Sequence, residues 1–347
     1  MRRKDLSLRL SFFQKNPPSY GMIFKWKINI MNLSQANLQK EDDIMKTLIT
    51  GAAGFIGSHL VDFLADRGDE LVLFDNLSHG RMENLTRHRQ NPRIEFILGD
   101  LRNEDQVILA MRGCEMVFHL GAQSNVVNAT RDLDTTFYTN VVGTYHVLKA
   151  AHRQHIKCMV FSSSREVYGE PRHLPVDEDQ PLLTTNAYGA SKISAEMYCR
   201  IFRKDYGLPV VILRLTNVYG PRDRDRVIPI WIKQARACRP LPVFGGQQVL
   251  DFIWIEQVIQ ALISSSNHPE LEEPINVGSG ISTPILELAR EILDLTNSTS
   301  ELSLLPPRDS SVLRFVARVD RMRDQLGIHP PSGALEHLPD LLKRWDE

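Results

Sequence analysis

The run Gly51-Ala-Ala-Gly54-Phe-Ile-Gly57 constrains this chain more than any other. It closes a short apolar stretch, Thr47-Leu48-Ile49-Thr50, and opens a segment with Leu60, Val61, Phe63 and Leu64 at helical spacing, stopped by Gly68. A strand, a glycine turn and a helix in that order bring unpaired backbone N–H groups to a helix N-terminus, where the helix dipole favours phosphate. The spacing G-x-x-G-x-x-G is a variant of the dinucleotide fingerprint. In that reading Gly51 allows the tight turn, Gly54 the close approach of a pyrophosphate and Gly57 the packing of helix on strand, with Phe55 and Ile56 in the same turn.

The pattern then repeats. Apolar runs at 70–74, 94–98, 116–120, 158–161 and 210–213 alternate with helical segments at 105–111, 137–152 and 188–204. Near-continuous apolar strands between helices predict a parallel sheet covered on both faces. The expected class is α/β, a Rossmann-type doubly wound parallel sheet with a smaller C-terminal substrate-binding lobe. After Val218 prolines become frequent and segments shorten. The expected division is a flexible extension or mis-called start at 1–44, a Rossmann domain at 45–217, and a lobe at 218–347 that returns some segments to the sheet.

Composition narrows the function. Lys and Arg number 41 against 42 Asp and Glu, a formal net charge of −1. That balance argues against general nucleic-acid binding, which needs a basic footprint. No apolar run reaches the ~18 residues of a membrane span. Cys114, Cys158, Cys199 and Cys238 are spaced too widely for a zinc knuckle or a redox pair, so no metal is expected and a reducing, cytoplasmic setting suits the chain. Residues 1–40 carry eight Lys/Arg against one acid, without the apolar core or cleavage site of a secretory signal.

Asp75 ends the second predicted strand, eighteen residues after Gly57. A carboxylate there accepts from adenosine ribose hydroxyls and repels a 2′-phosphate, which favours NAD over NADP. Asp100 ends the third strand and either meets the adenine amino group or caps a helix. Asn76 and Leu101, which follow these two acids, are taken as cofactor contacts with them. Tyr188 and Lys192 stand one helical turn apart on one face. An ammonium beside a phenol favours phenolate, and the pair can then take a hydroxyl proton while hydride leaves the same carbon.

With Asp100-Leu101, His119-Leu120-Gly121-Ala122, Asn140-Val-Val-Gly143-Thr144, Phe161-Ser-Ser-Ser164-Arg-Glu-Val-Tyr-Gly169, Tyr188-Gly-Ala-Ser-Lys192 and Arg214-Leu-Thr-Asn217-Val-Tyr-Gly-Pro-Arg222, the stretch from Lys46 to about Pro331 resembles the extended short-chain dehydrogenase/reductase family. The likeness is to its nucleotide-sugar epimerase/dehydratase branch, with UDP-glucose 4-epimerases as the nearest type. The resemblance implies that Ser164 hydrogen-bonds the reacting sugar oxygen, Tyr188 is the base, and Lys192 holds the nicotinamide ribose. It makes Asn140 a structural asparagine, Asn217 a contact to diphosphate or sugar, Phe244 a platform for the nucleotide base, and Arg308 a diphosphate ligand. Phe315 falls where 4-epimerases have a gate residue, and a bulky side chain there is expected to disfavour an N-acetyl group.

Two departures stand out. The 4,6-dehydratases of the branch have Asp-Glu where this chain has Arg165-Glu166, so their mechanism is hard to support here. Arg165 either pairs with Glu166 and orients a strand end, or holds a sugar carboxylate. Leu250 replaces an arginine that binds diphosphate in many relatives, shifting that task to Arg308 or to Arg222, Arg224 and Arg226. These three can also be read as part of a solvated charged loop. The expectation is an NAD-dependent nucleotide-sugar 4-epimerase, of UDP-glucose/UDP-galactose or UDP-uronic acid type, acting through a transient 4-keto sugar. A decarboxylase, a 4,6-dehydratase or a 4-ketoreductase of the same family is the alternative, and a non-catalytic dinucleotide-binding or RNA-binding member is the alternative of another class. Apolar faces on the segments 137–152 and 188–204 imply a homodimer through a four-helix bundle.

Overall fold

The computed structural model describes residues 45–307 and 312–346. The expectations for residues 1–44 and for Arg308 lie outside the described residues. The strands in chain order are β1 (Lys46–Thr50), β2 (Glu70–Asp75), β3 (Ile94–Leu98), β4 (Met116–His119), β5 (Cys158–Ser164), β6 (Val210–Leu215), β7 (Asn217–Tyr219), β8 (Leu241–Phe244), β9 (Val249–Leu250), β10 (Phe252–Trp254), β11 (Ile275–Val277), β12 (Thr283–Pro284) and β13 (Leu302–Leu305). The α-helices are α1 (Phe55–Arg67), α2 (Glu104–Ala110), α3 (Val126–Arg131), α4 (Leu133–Phe137), α5 (Gly143–Arg153), α6 (Ala187–Tyr206), α7 (Val227–Arg236), α8 (Ile255–Ser266), α9 (Ile285–Leu295), α10 (Asp320–Leu326) and α11 (Leu338–Lys343).

Seven strands form one sheet in the order β11-β6-β5-β4-β1-β2-β3. Every pairing in it is parallel. This is the doubly wound sheet expected from the apolar runs. Strand alternation divides the core in two. Ile49, Leu71, Leu73, Phe118 and Val160 point to one face and pack under Leu60, Val61 and Leu64 of α1 and Val258 and Leu262 of α8. Leu48, Val72, Phe74, Val117 and Met159 point to the other, under Val147, Leu148 and Ala151 of α5 and Ala195, Cys199 and Phe202 of α6. The chain leaves β1 toward β2 and β3, then returns to place β4 on the other side of β1. Open α/β sheets bind ligands at such a switch point, beyond the carboxyl ends of the strands.

Three short ribbons accompany the sheet, β7 with β10, β8 with β13 and β9 with β12. The first and third of these are tied in by Asp251, between β9 and β10, whose side chain is fully buried. Its carboxylate accepts from Ser279 N–H and Oγ at 2.8 Å, Gly280 N–H at 3.0 Å and Ala317 N–H at 3.0 Å. The helix expected over 137–152 is broken into α4, a π turn at Tyr138–Val142, and α5. A π turn is the usual mark of a site where one residue is turned off the helical register. Here it carries Asn140.

Candidate active site

At the end of β1, Gly51 takes φ +68°, and a Cβ on it would lie 2.8 Å from Gly121 Cα in the turn after β4. Only glycine lets these two turns close the switch point. A Cβ on Gly57 would stand 2.1 Å from the Gly51 carbonyl, so the first turn of α1 rests directly on the loop. Helix α1 begins at Phe55, three residues earlier than its apolar spacing predicts, because Gly54 in extended backbone serves as N-cap. That N-cap has no side-chain hydrogen bond, which leaves the helix terminus open to an anion.

Asp75 is buried at the end of β2. Its Oδ2 accepts from Ala53 N–H at 3.0 Å and its Oδ1 from Leu77 N–H at 2.8 Å. Burial raises its pKa, and the two N–H donors oppose that. Each carboxylate oxygen keeps a further lone pair for a ribose hydroxyl. An open helix terminus, a glycine turn and a strand-end carboxylate therefore fit NAD. Asn76 donates to Asp100 Oδ2 at 3.1 Å. Asp100 does not cap a helix, since Asn103 caps α2. It is instead held by Arg102, whose Nε and Nη2 donate at 2.9 and 2.7 Å and bring the Asp100 pKa to about 2. Leu101 is buried, and its carbonyl accepts from His146 Nδ1 at 2.9 Å.

Beyond β5, Ser164 accepts from Glu166 N–H at 3.2 Å and also hydrogen-bonds Tyr188. Helix α6 starts at Asn186, whose side chain accepts from Gly189 N–H at 2.8 Å. Its Nδ2 donates to Glu166 Oε2 at 2.8 Å, so the cap of the helix that carries Tyr188 is tied to the turn after Ser164. Lys192 Nζ lies 5.8 Å from the Tyr188 ring centroid and donates to the Ser162 carbonyl at 2.7 Å. Burial pulls the Lys192 ammonium down to about 8.

The expected tuning of Tyr188 needs correction. Burial pushes its phenol up to about 12, and Arg226, then Ser164, oppose that before any other group. Lys192 faces the Ser162 carbonyl instead. Arg226, from the loop taken as charged and solvated, places its guanidinium 5.4 Å from the Phe55 ring. Arg222 is committed elsewhere, donating to Asp62 Oδ2 at 2.6 Å. Arg224 is exposed.

Arg165 and Glu166 pair at 2.8 Å, which is the simpler of their two readings. The Arg165 guanidinium lies 5.6 Å from the Phe315 ring. Phe315 itself is fully buried against Tyr168, so it acts on the site through Arg165 and has no surface of its own to offer a sugar. Asn217 Nδ2 donates to the Asp251 carbonyl at 2.8 Å. Phe244 is partly buried on β8. Its carbonyl accepts from Gln248 Nε2 at 2.7 Å. Leu250 is partly buried and lies opposite Thr283.

Two networks behind the site escaped sequence reasoning. Asn140 accepts from Gln123 N–H at 2.7 Å and donates to Ser191 Oγ at 2.9 Å, joining the loop after β4 to α6. Next to it, His119 bridges Thr50 Oγ1 at 2.7 Å and Thr144 Oγ1 at 2.9 Å. Thr144 spends its proton on the Asn140 carbonyl, so it accepts from His119 Nε2, and His119 Nδ1 accepts from Thr50. Burial lowers the His119 pKa to about 3, which keeps the ring neutral in that role. The second network is Glu196 with Arg214, both buried. The one signal for it was an acid four residues after Lys192, on the apolar side of α6 beside Ala195 and Cys199.

The sheet, the open turn at its switch point and the Ser–Tyr–Lys cluster define a nicotinamide-dependent enzyme acting on a small polar substrate. The chain belongs to the NAD dependent epimerase/dehydratase family, whose sequence pattern matches residues 47–278. A UDP-glucose 4-epimerase of Mycolicibacterium smegmatis is 34% identical over 299 residues, covering 84% of this chain and 96% of that protein. The crystal structure of the Thermotoga maritima UDP-glucose 4-epimerase with UDP-glucose superposes at a TM-score of 0.81 with 30% identity, covering 87% of this chain and 99% of that one. A dTDP-glucose 4,6-dehydratase from Streptomyces venezuelae, with NAD bound, reaches a TM-score of 0.83 at 28% identity and covers 87% and 97%.

Proposed function

We propose that this enzyme is a 4-epimerase of a UDP-sugar, with UDP-glucose and UDP-galactose as its pair. The observation that carries the reading is the closing of the Arg165–Glu166 step beside an intact Ser164–Tyr188–Lys192 set. Elimination of water by the dehydratase route needs an acid at 165 and a base at 166. Arg165 cannot give up a proton. Glu166 has one oxygen on Arg165 and the other on Asn186. What is left is chemistry at a single carbinol carbon.

NAD, when bound, supplies reversible hydride exchange with that carbon. The protein does the rest. Ser164 orients the sugar 4-oxygen, and the Tyr188 oxygen accepts its proton and later returns one to the 4-oxygen. Lys192 orients the nicotinamide ribose, and the charge of Arg226 favours the phenolate. The neutral His119, and Asn140 bonded to both Gln123 and Ser191, keep these parts in register. The substrate diphosphate is drawn by Arg226, which stands over Phe55 of the glycine turn. Incubation with UDP-glucose, followed by proton NMR, should show UDP-galactose accumulating to a fixed ratio without added NADH. No conversion of UDP-glucose, with one NADH oxidised for each UDP-4-keto sugar reduced when that is supplied, would make the enzyme a ketoreductase instead.

The assembly is a homodimer. Leu133, Phe137, Tyr138 and Tyr145 on one side and Met197, Tyr198, Ile201 and Tyr206 on the other are exposed. The two sets meet where Tyr145 lies 5.6 Å from Tyr198. An apolar surface shared by two long helices supports pairing with a second copy into a four-helix bundle. Free thiols at all four cysteines suit a cytoplasmic setting. No described helix is long and apolar enough to cross a membrane.

A further inference from the structure

Helix α6 and strand β5 carry the reacting groups, and a buried ion pair between α6 and the neighbouring strand β6 reaches β5 through Ser163. Glu196 and Arg214 are 0% and 1% exposed. Arg214 Nε donates to Glu196 Oε1 at 3.0 Å and Nη2 to Oε2 at 2.7 Å. Its Nη1 donates to Tyr168 Oη at 2.9 Å and to the Glu178 carbonyl at 3.0 Å. Tyr168 in turn donates to Asn276 Oδ1 on β11 at 2.7 Å. This end of the network is thus anchored in β6 and β11. The other end is a single hydroxyl, since Ser163 Oγ donates to Glu196 Oε1. Ser163 stands opposite Arg214 in the β5–β6 register. It is flanked by Ser162, whose carbonyl holds Lys192, and by Ser164.

Stability alone does not call for charge at this place, because well-packed apolar residues commonly replace a buried ion pair without loss. What such a replacement cannot do is hold the tip of β5 to α6. We propose that Glu196 is a positioning residue, which through Ser163 and Arg214 fixes the strand end bearing Ser162 and Ser164 against the helix bearing Tyr188 and Lys192. The proposal rests on the reading of Tyr188 and Lys192 given above. Glu196 also acts on charge. The groups facing Lys192 are Tyr188, Glu196 and Cys199 on α6, neutral His119 on β4, and the Phe161 ring and Ser162 carbonyl on β5, with Arg214 beyond Glu196. Among them the carboxylate of Glu196 supports the ammonium, and its removal would let burial lower Lys192 further.

The test uses the full-length holoenzyme in three forms, Ser163→Ala, Glu196→Gln, and the apolar pair Glu196→Leu with Arg214→Met. Each is assayed for kcat and KM across pH, and by carbon-13 NMR titration of Lys192 against a Lys192→Met control. Ser163→Ala removes one hydroxyl and should lower kcat about tenfold with KM and pH profile unmoved, as misplacement of reacting groups does. Both changes at Glu196 should move the alkaline limb of kcat and the Lys192 titration down by about one pH unit. Folded variants with unaltered kcat, pH profile and lysine titration would overturn the proposal, and Ser163→Ala at full kcat overturns it alone if the other variants fail to fold. A parent enzyme inert toward every nucleotide sugar would instead overturn the epimerase reading, and the lysine titration would still decide the role of Glu196.

Discussion

Tyr188 is costly to ionise where it stands. Burial holds its proton, and the oxygen becomes a base only as positive charge gathers around it. Replacing it by phenylalanine leaves the packing almost unchanged and removes the proton acceptor. Tyr188→Phe should lower kcat by about 10²–10⁴-fold, the usual range for a lost general base, with KM within a few-fold in steady-state assays. Lys192 sets the other limit. Its pKa lies below the ordinary lysine range, at about 8, so the ammonium is intact below that pH and lost above it. The rate should therefore fall as pH rises through about 8, and a kcat profile still flat two units higher would show that the Lys192 charge is not needed.

At the level of elements, the strands were legible because buried parallel strands are apolar along nearly their whole length, and β4, buried at every position, falls within the run at 116–120. The glycine turn was legible because backbone geometry leaves no other residue type at Gly51 and Gly57. Gly57→Ala makes this concrete. Its Cβ would press on the Gly51 carbonyl, so the turn must move, and the variant should lose about 2–3 kcal/mol of stability in denaturant titration together with bound NAD. Three things were hidden. The π turn at Tyr138–Val142 depends on Asn140 reaching both Gln123 and Ser191, partners far away in the chain. The burial of Phe315 and its place beneath Arg165 come from packing against Tyr168, which spacing does not encode. The reach of Arg226 to Phe55 depends on how the loop 221–226 folds back on α1, where Asp62 holds Arg222 and the Pro221 carbonyl meets His59 at 2.9 Å. Local pattern announces elements, while the contacts between them are set by tertiary structure.

For the molecule as a whole, the sheet brings a dinucleotide turn and a proton-transfer pair to one edge, and the two long helices behind it are free to pair. A single charge in that apolar face should undo the proposed dimer. Light scattering should give twice the 39.6 kDa chain mass for the parent and the chain mass for Ile201→Glu, with the near-ultraviolet circular dichroism unchanged. The central claim concerns one carbon of the sugar. A UDP-glucose carrying deuterium at C4, followed by NMR in ordinary water, tests it most directly. The UDP-galactose formed should keep its deuterium at C4, as reversible hydride exchange within one closed pocket requires. Deuterium found at C6, or lost to solvent, would contradict the account.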